Sequence, residues 1–111
     1  MRQLNRSALI PYSAEQMFDV VNNVAAYPAF LPWCDDTRII SVDECIMIAE
    51  LTVARSGIKQ SFTTQNELFR PDRIELNLVE GPFQMLSGSW QFFALGESGC
   101  RVKMQLSFDI D

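Results

Sequence analysis

The chain has 111 residues, 48% of them hydrophobic, with a formal net charge of −5 and no histidine. That length suits one domain with a core of its own, and the hydrophobic content excludes a disordered acidic tail. The missing histidine removes the usual general base near neutral pH and the Ser-His and Cys-His nucleophile pairs, while the acidic balance opposes non-specific binding to nucleic acid.

No apolar run reaches the roughly 18 residues a membrane span needs, and Met1 to Arg6 lacks the apolar stretch of a secretory signal, so a cytoplasmic location is expected. Cys34, Cys45 and Cys100 are odd in number and widely spaced, without a Cys-x-x-Cys pair. They read as small apolar residues in a reducing compartment, not as a disulfide framework or a zinc site. Neither a metal nor a catalytic residue is expected.

In chain order, Gln3–Ile10 reads as a strand stopped by Pro11. Ser13 and Gln16 carry a capping-box signal, and Met17, Val20, Val21 and Val24 recur at helical spacing, which predicts a short amphipathic helix. Asn22-Asn23 weakens it, and a second short helical turn is expected over Ala25–Phe30. This turn overlaps Tyr27-Pro28-Ala29-Phe30-Leu31-Pro32-Trp33, three aromatics and a leucine around two prolines. Proline biases the residue before it away from helix, so Tyr27 and Leu31 are expected to be extended, in a stiff apolar turn at the mouth of a sheet.

From Thr37 the pattern changes to period two. Strands are predicted at Thr37–Val42, Ile46–Arg55, Ile58–Phe69, Arg73–Val79, Leu86–Leu95 and Arg101–Ile110, with Gly-, Pro- and Asp-rich breaks between them. Connections this short favour antiparallel neighbours. In the last strand Cys100, Val102, Met104, Leu106 and Phe108 alternate with Arg101, Lys103, Gln105, Ser107 and Asp109, so one face is covered and the other meets water. The roughly ten to fifteen residues of helix are too few to cover such a sheet, and the chain stops at Ile110-Asp111 while still in strand pattern. A covering element or a partner is therefore expected to be missing, and the uncovered apolar face should drive self-association.

Leu76, Leu78, Trp90, Phe92 and Met104 read either as core or as the wall of an apolar pocket, with Phe30, Leu31 and Trp33 at its entrance and Phe83 folding over its mouth. Gly88 inside a strand suggests a bulge or a close backbone approach that curves the sheet. Asp35 and Asp36 are neighbours on an extended chain and point to opposite faces, so they do not make a carboxylate pair. Arg55, Lys59, Arg101 and Lys103 could form a positive stripe for RNA or acidic lipid on a solvated strand surface.

Five blocks in order carry a family resemblance: Arg6–Met17, Tyr27–Cys34, Phe62–Asn66, Leu78–Phe83 and Leu86–Phe92. They resemble the coenzyme-Q-binding branch of the START-like (polyketide cyclase/dehydrase) superfamily, which includes bacterial ribosome-association toxins and their mitochondrial quinone-binding relatives. The resemblance implies an α+β helix-grip fold. A curved antiparallel seven-stranded sheet, with two short N-terminal helices, would wrap a long C-terminal helix around an apolar cavity. Residues 1–111 would be a single START-like domain ending before that helix. The implied function is a non-enzymatic module that needs no cofactor, binds ubiquinone or a similar isoprenoid quinone and supports respiratory electron transfer, with peripheral contact at the inner membrane. The alternative the resemblance implies is a toxin-like protein that binds the large ribosomal subunit and blocks subunit joining.

Overall fold

The computed structural model describes residues 2–55 and 57–110, the side chains of Arg55 and Ile110 lying outside the described set. A strand, β1 (Arg2–Ile10), leads into helix α1 (Ala14–Asn22), a 3₁₀ turn (Val24–Ala26) and helix α2 (Tyr27–Phe30). Six strands follow: β2 (Cys34–Val42), β3 (Ile46–Arg55), β4 (Ile58–Phe69), β5 (Arg73–Glu80), β6 (Phe83–Leu95) and β7 (Gly99–Ile110). The bounds of β3 and β4 are those predicted; β2, β6 and β7 each begin a few residues earlier than their patterns suggest.

The strands form one antiparallel sheet in the order β1-β7-β6-β5-β4-β3-β2. Five hairpins join consecutive strands, and the first strand closes onto the last. The segment from α1 to α2 is thus the one connection that must cross from one edge of the sheet to the other, and it does so over a single end of the inner face. This is the expected α+β helix-grip arrangement with a curved seven-stranded sheet.

Register fixes which side chains share that face. Trp90 lies opposite Met104, Leu76 opposite Gly88 and Leu86 opposite Phe108, so apolar residues of β5, β6 and β7 point the same way. On the other side of β5, Asn66 faces Leu76 and Thr64 faces Leu78; across β4, Met47 faces Asn66 and Ala49 faces Thr64.

Helix α1 starts as the sequence dictates. The Gln16 amide donates to Ser13 Oγ (3.1 Å) and the Ser13 amide to Gln16 Oε1 (2.9 Å), satisfying two donors that a helix start leaves without partners. Its inward residue Phe18 is 2% exposed and packs with Ala14, Ile74, Phe92, Cys100 and Val102. A bidentate Arg70–Asp19 pair, with both bonds at 2.9 Å, ties the exposed side of the helix to the β4–β5 turn. The 3₁₀ turn buries Val24 against Met47, Ala49 and Leu51, making a second cluster toward β3.

Two local expectations are corrected. Leu31 is extended (φ −106°, ψ 109°), but Tyr27 is helical (φ −54°, ψ −43°). Pro28 sits in the first turn of α2, where its missing N–H is not needed. The Tyr27 hydroxyl donates to the Val21 carbonyl while its ring packs against the second cluster, and these contacts outweigh the pre-proline bias. Cys34 and Cys100 are buried as small apolar residues, whereas Cys45 is exposed in the β2–β3 turn, where Asp43 Oδ1 accepts from its backbone amide. No helix among the described residues is long and apolar enough to cross a membrane.

Candidate functional site: an open apolar hollow

The crossing helices cover one end of the inner face only. Beyond them the sheet presents a hollow floored by Leu76, Leu86, Trp90, Met104 and Leu106, all on the inner register positions of β5, β6 and β7. A row of aromatic rings bounds its far end. Phe83 meets Phe62 edge-on at 5.6 Å and Phe108 at 6.4 Å, linking β4 to β7 across the β5–β6 turn. Phe83 reaches this position because the β6–β7 register shifts between Phe83 and Met85.

The expected lining residues divide into three groups. Leu76, Leu78, Trp90 and Met104 share the inner face and remain half-buried, so they form a wall. Phe92 is 4% exposed beneath Phe18, whose ring meets it edge-on at 5.8 Å; it is sealed core under α1, not open wall. Phe30 and Trp33 are exposed and Leu31 is half-buried, on α2 and the turn into edge strand β2. There Phe30 stacks edge-on against Tyr27 at 5.9 Å.

Gly88 makes the expected close approach without a bulge: pairing runs continuously from Leu86 to Leu95 on β6. A Cβ at Gly88 would lie 2.5 Å from the Gln105 carbonyl oxygen and 3.0 Å from Leu106 Cδ1. Absence of a side chain therefore lets Leu106 lean over β6 and keeps the floor of the hollow deep. Two surface depressions, of about 360 and 310 Å³, lie elsewhere, lined mainly by polar residues such as Glu75, Asn77, Ser87 and Ser89 in one and Glu50, Ser61, Thr63 and Glu80 in the other.

Two lining residues had gone unsuspected. Thr64 and Asn66 are 5% and 8% exposed on the inner positions of β4, and the Thr64 hydroxyl donates to Asn66 Oδ1 at 3.0 Å. The available signal was the inward alternation Phe62, Thr64, Asn66, Leu68, in which two polar residues interrupt an apolar series.

The proposed basic stripe is not continuous. Lys59 is ion-paired with Asp35 (3.1 Å) near the β3–β4 hairpin, and the Arg55 side chain lies outside the described residues. Arg101 and Lys103 instead face outward on β7. Arg101 stands between Leu9 and Phe93, and Lys103 between Ser7 and Gln91. Arg73 of β5 lies opposite Gln91 of β6; it is ion-paired with Glu75 (3.5 Å), and its guanidinium sits 3.9 Å from the centre of the Phe69 ring. Asp35 and Asp36 do not converge, since Asp36 Oδ1 accepts from the Thr37 amide.

Burial pushes the Cys34 and Cys100 thiols up, which keeps them protonated and inert at neutral pH. The Tyr27 hydroxyl is pushed up to about 12, chiefly by burial, with Cys34 nearby adding to it.

The polyketide cyclase/dehydrase and lipid transport family model matches residues 10–111. The chain is 50% identical over 106 residues to the ribosome association toxin RatA of Pseudomonas aeruginosa, covering 96% of this chain and 74% of that protein. It is 26% identical over 112 residues to the mitochondrial coenzyme Q-binding protein COQ10 homolog B of Xenopus laevis, covering 96% of this chain and 46% of that one. Among solved structures it superposes on the Zhui aromatase/cyclase of a Streptomyces species with a TM-score of 0.89 at 19% identity, over 99% of this chain and 68% of that one, a likeness of fold alone. With its inner hollow, its helix-grip sheet and a family match over nearly its whole length, the chain belongs to the polyketide cyclase/dehydrase and lipid transport family.

Proposed function

We propose that this protein is a non-enzymatic, ribosome-associating factor that binds the large subunit and blocks subunit joining. The observation that carries this reading is the 50% identity to a ribosome association toxin over 106 residues. The outer face of β5, β6 and β7 supplies a suitable surface. Arg101 and Lys103 stand near the exposed ring of Phe93, so cations for phosphates lie beside a ring on which a base can stack. An open sheet face of this kind needs no large positive net charge, because the contact is local.

Cosedimentation with purified large subunits tests the proposal. The protein should travel with them and reduce the 70S fraction, and the Arg101→Glu/Lys103→Glu variant should bind about tenfold more weakly and with a shallower salt dependence, because fewer phosphates are neutralised. A protein that stays at the top of the gradient and leaves the 70S particles intact refutes the reading.

A second reading is favoured by the hollow itself: the inner face holds an apolar molecule such as ubiquinone or another isoprenoid quinone. The 26% identity to a coenzyme Q-binding protein supports it. Solvent extraction of the purified protein followed by mass spectrometry should recover such a lipid. A lipid-free extract, together with no rise in melting temperature on adding quinone, removes this reading.

A further inference from the structure

We propose that Asn66 and Thr64 form a polar subsite on the floor of the hollow that receives the neutral carbonyl or hydroxyl oxygen of an amphiphilic ligand. The inference rests on the second reading above, that the hollow binds an apolar molecule, and adds the chemistry by which it selects one. A buried polar group in an apolar wall is more informative than any of its greasy neighbours, because it must find partners or carry a desolvation cost.

Both residues lie on the inner positions of β4, bracketed by Phe62 and Leu68 on their own strand. Met47 and Ala49 of β3 flank them on one side, Leu76 and Leu78 of β5 on the other. Pairing with β3 is unbroken around them, while pairing with β5 shifts between Thr63 and Thr64, and the two side chains bond to each other. Thr64 donates its hydroxyl proton to Asn66 Oδ1 at 3.0 Å. That bond uses one acceptor site of the amide and orients its plane. It leaves the two N–H donors of Asn66 without a hydrogen-bond partner among the described residues, and the lone pairs of Thr64 Oγ1 free.

The donors select an oxygen acceptor, while the free oxygen of Thr64 also accommodates a hydroxyl. The wall around them holds no cation, so a neutral head is favoured over a carboxylate or phosphate, whose charge would be desolvated without a counterion. The apolar body then extends along Leu76, Trp90, Met104 and Leu106. An aromatic ketone or quinone with a hydrocarbon tail satisfies all three conditions.

Calorimetric titration of the purified protein with decylubiquinone and with decylbenzene, the same tail on a ring without oxygens, provides the test. The parent protein should prefer the quinone by about tenfold or more, since a site built to hydrogen-bond an oxygen rejects the analogue lacking it. Asn66→Leu should abolish the preference by weakening the quinone while leaving decylbenzene unchanged or tighter. Thr64→Val, close in shape and safe for folding, frees the amide to rotate and should narrow the preference to about threefold or less. Equal binding of both probes by the parent, or a preference that survives both substitutions, overturns the subsite and leaves the apolar hollow standing. Failure of both probes to bind overturns the subsite together with the reading it rests on.

Discussion

Replacing Gly88 by alanine is the most direct probe of how the hollow is shaped. The new Cβ would lie 2.5 Å from the Gln105 carbonyl oxygen, where side-chain carbons essentially never approach within 3.0 Å, so at least half an ångström must be found. Leu106 Cδ1, at 3.0 Å, can swing aside, but the carbonyl cannot. Gln105 is held by Ser89 of β6 on one side and by Asn5 of β1 on the other, so moving it disturbs two ladders. Overpacking costs about 1–3 kcal/mol, and a clash against backbone belongs to the upper half, about 2–3 kcal/mol. For a domain of this size that lowers the melting temperature by roughly 10 °C or more. Thermal melts followed by circular dichroism should compare Gly88→Ala with Gly96→Ala. Gly96 has φ +72° and nothing within 4 Å of its Cβ, so the comparator loses only the left-handed backbone penalty, about 1 kcal/mol. A Gly88→Ala protein melting within about 2 °C of the parent, or above Gly96→Ala, would refute close approach as the source of the hollow's depth.

Phe18→Ala should cost about 3–5 kcal/mol by urea denaturation, because a fully covered ring leaves a void against Phe92 that the sheet cannot close. A loss below about 1 kcal/mol would mean that α1 does not seal this end. Tyr27 holds its proton to about pH 12 in the folded protein against a normal value of 10.0. Its contribution is therefore complete below pH 10, then disappears as pH rises towards 12, since the unfolded chain ionises first. Tyr27→Phe should be less stable at neutral pH by about 1 kcal/mol, through the lost bond to the Val21 carbonyl, yet fall off less steeply in alkali. Parallel alkaline limbs for the two proteins would contradict the burial of that hydroxyl.

Much of the architecture was legible because its signals are local. Period-two alternation and Gly or Pro breaks set β3 and β4 to the residue, and Ser13 with Gln16 announced the start of α1. The errors come from interactions distant in sequence. Tyr27 is helical because it packs against a cluster built on Val24 and β3 and bonds to the Val21 carbonyl, which a pre-proline rule does not see. Phe92 alternates like any inward strand residue, and only the tertiary position of Phe18 turns it from wall into sealed core. Lys59 looked equivalent to Arg101 and Lys103 until the fold brought Asp35 within 3.1 Å of it. Thr64 and Asn66 escaped notice for a related reason: strand alternation identifies an inward position, but not that its neighbours on both adjoining strands are apolar.

The two margins of the sheet are guarded unequally. β2 carries pairing shifts at Cys34/Asp36 and at Ile39/Ser41, and such kinks spoil a strand as a template for another chain. β1 pairs without interruption from Arg2 to Ile10 and contains neither kink nor proline, so its free side offers an unbroken ladder. Recruitment of a foreign strand can thus begin on one flank alone. Two molecules meeting there would be left with kinked outer flanks, and growth would end at the pair instead of running on into a fibre.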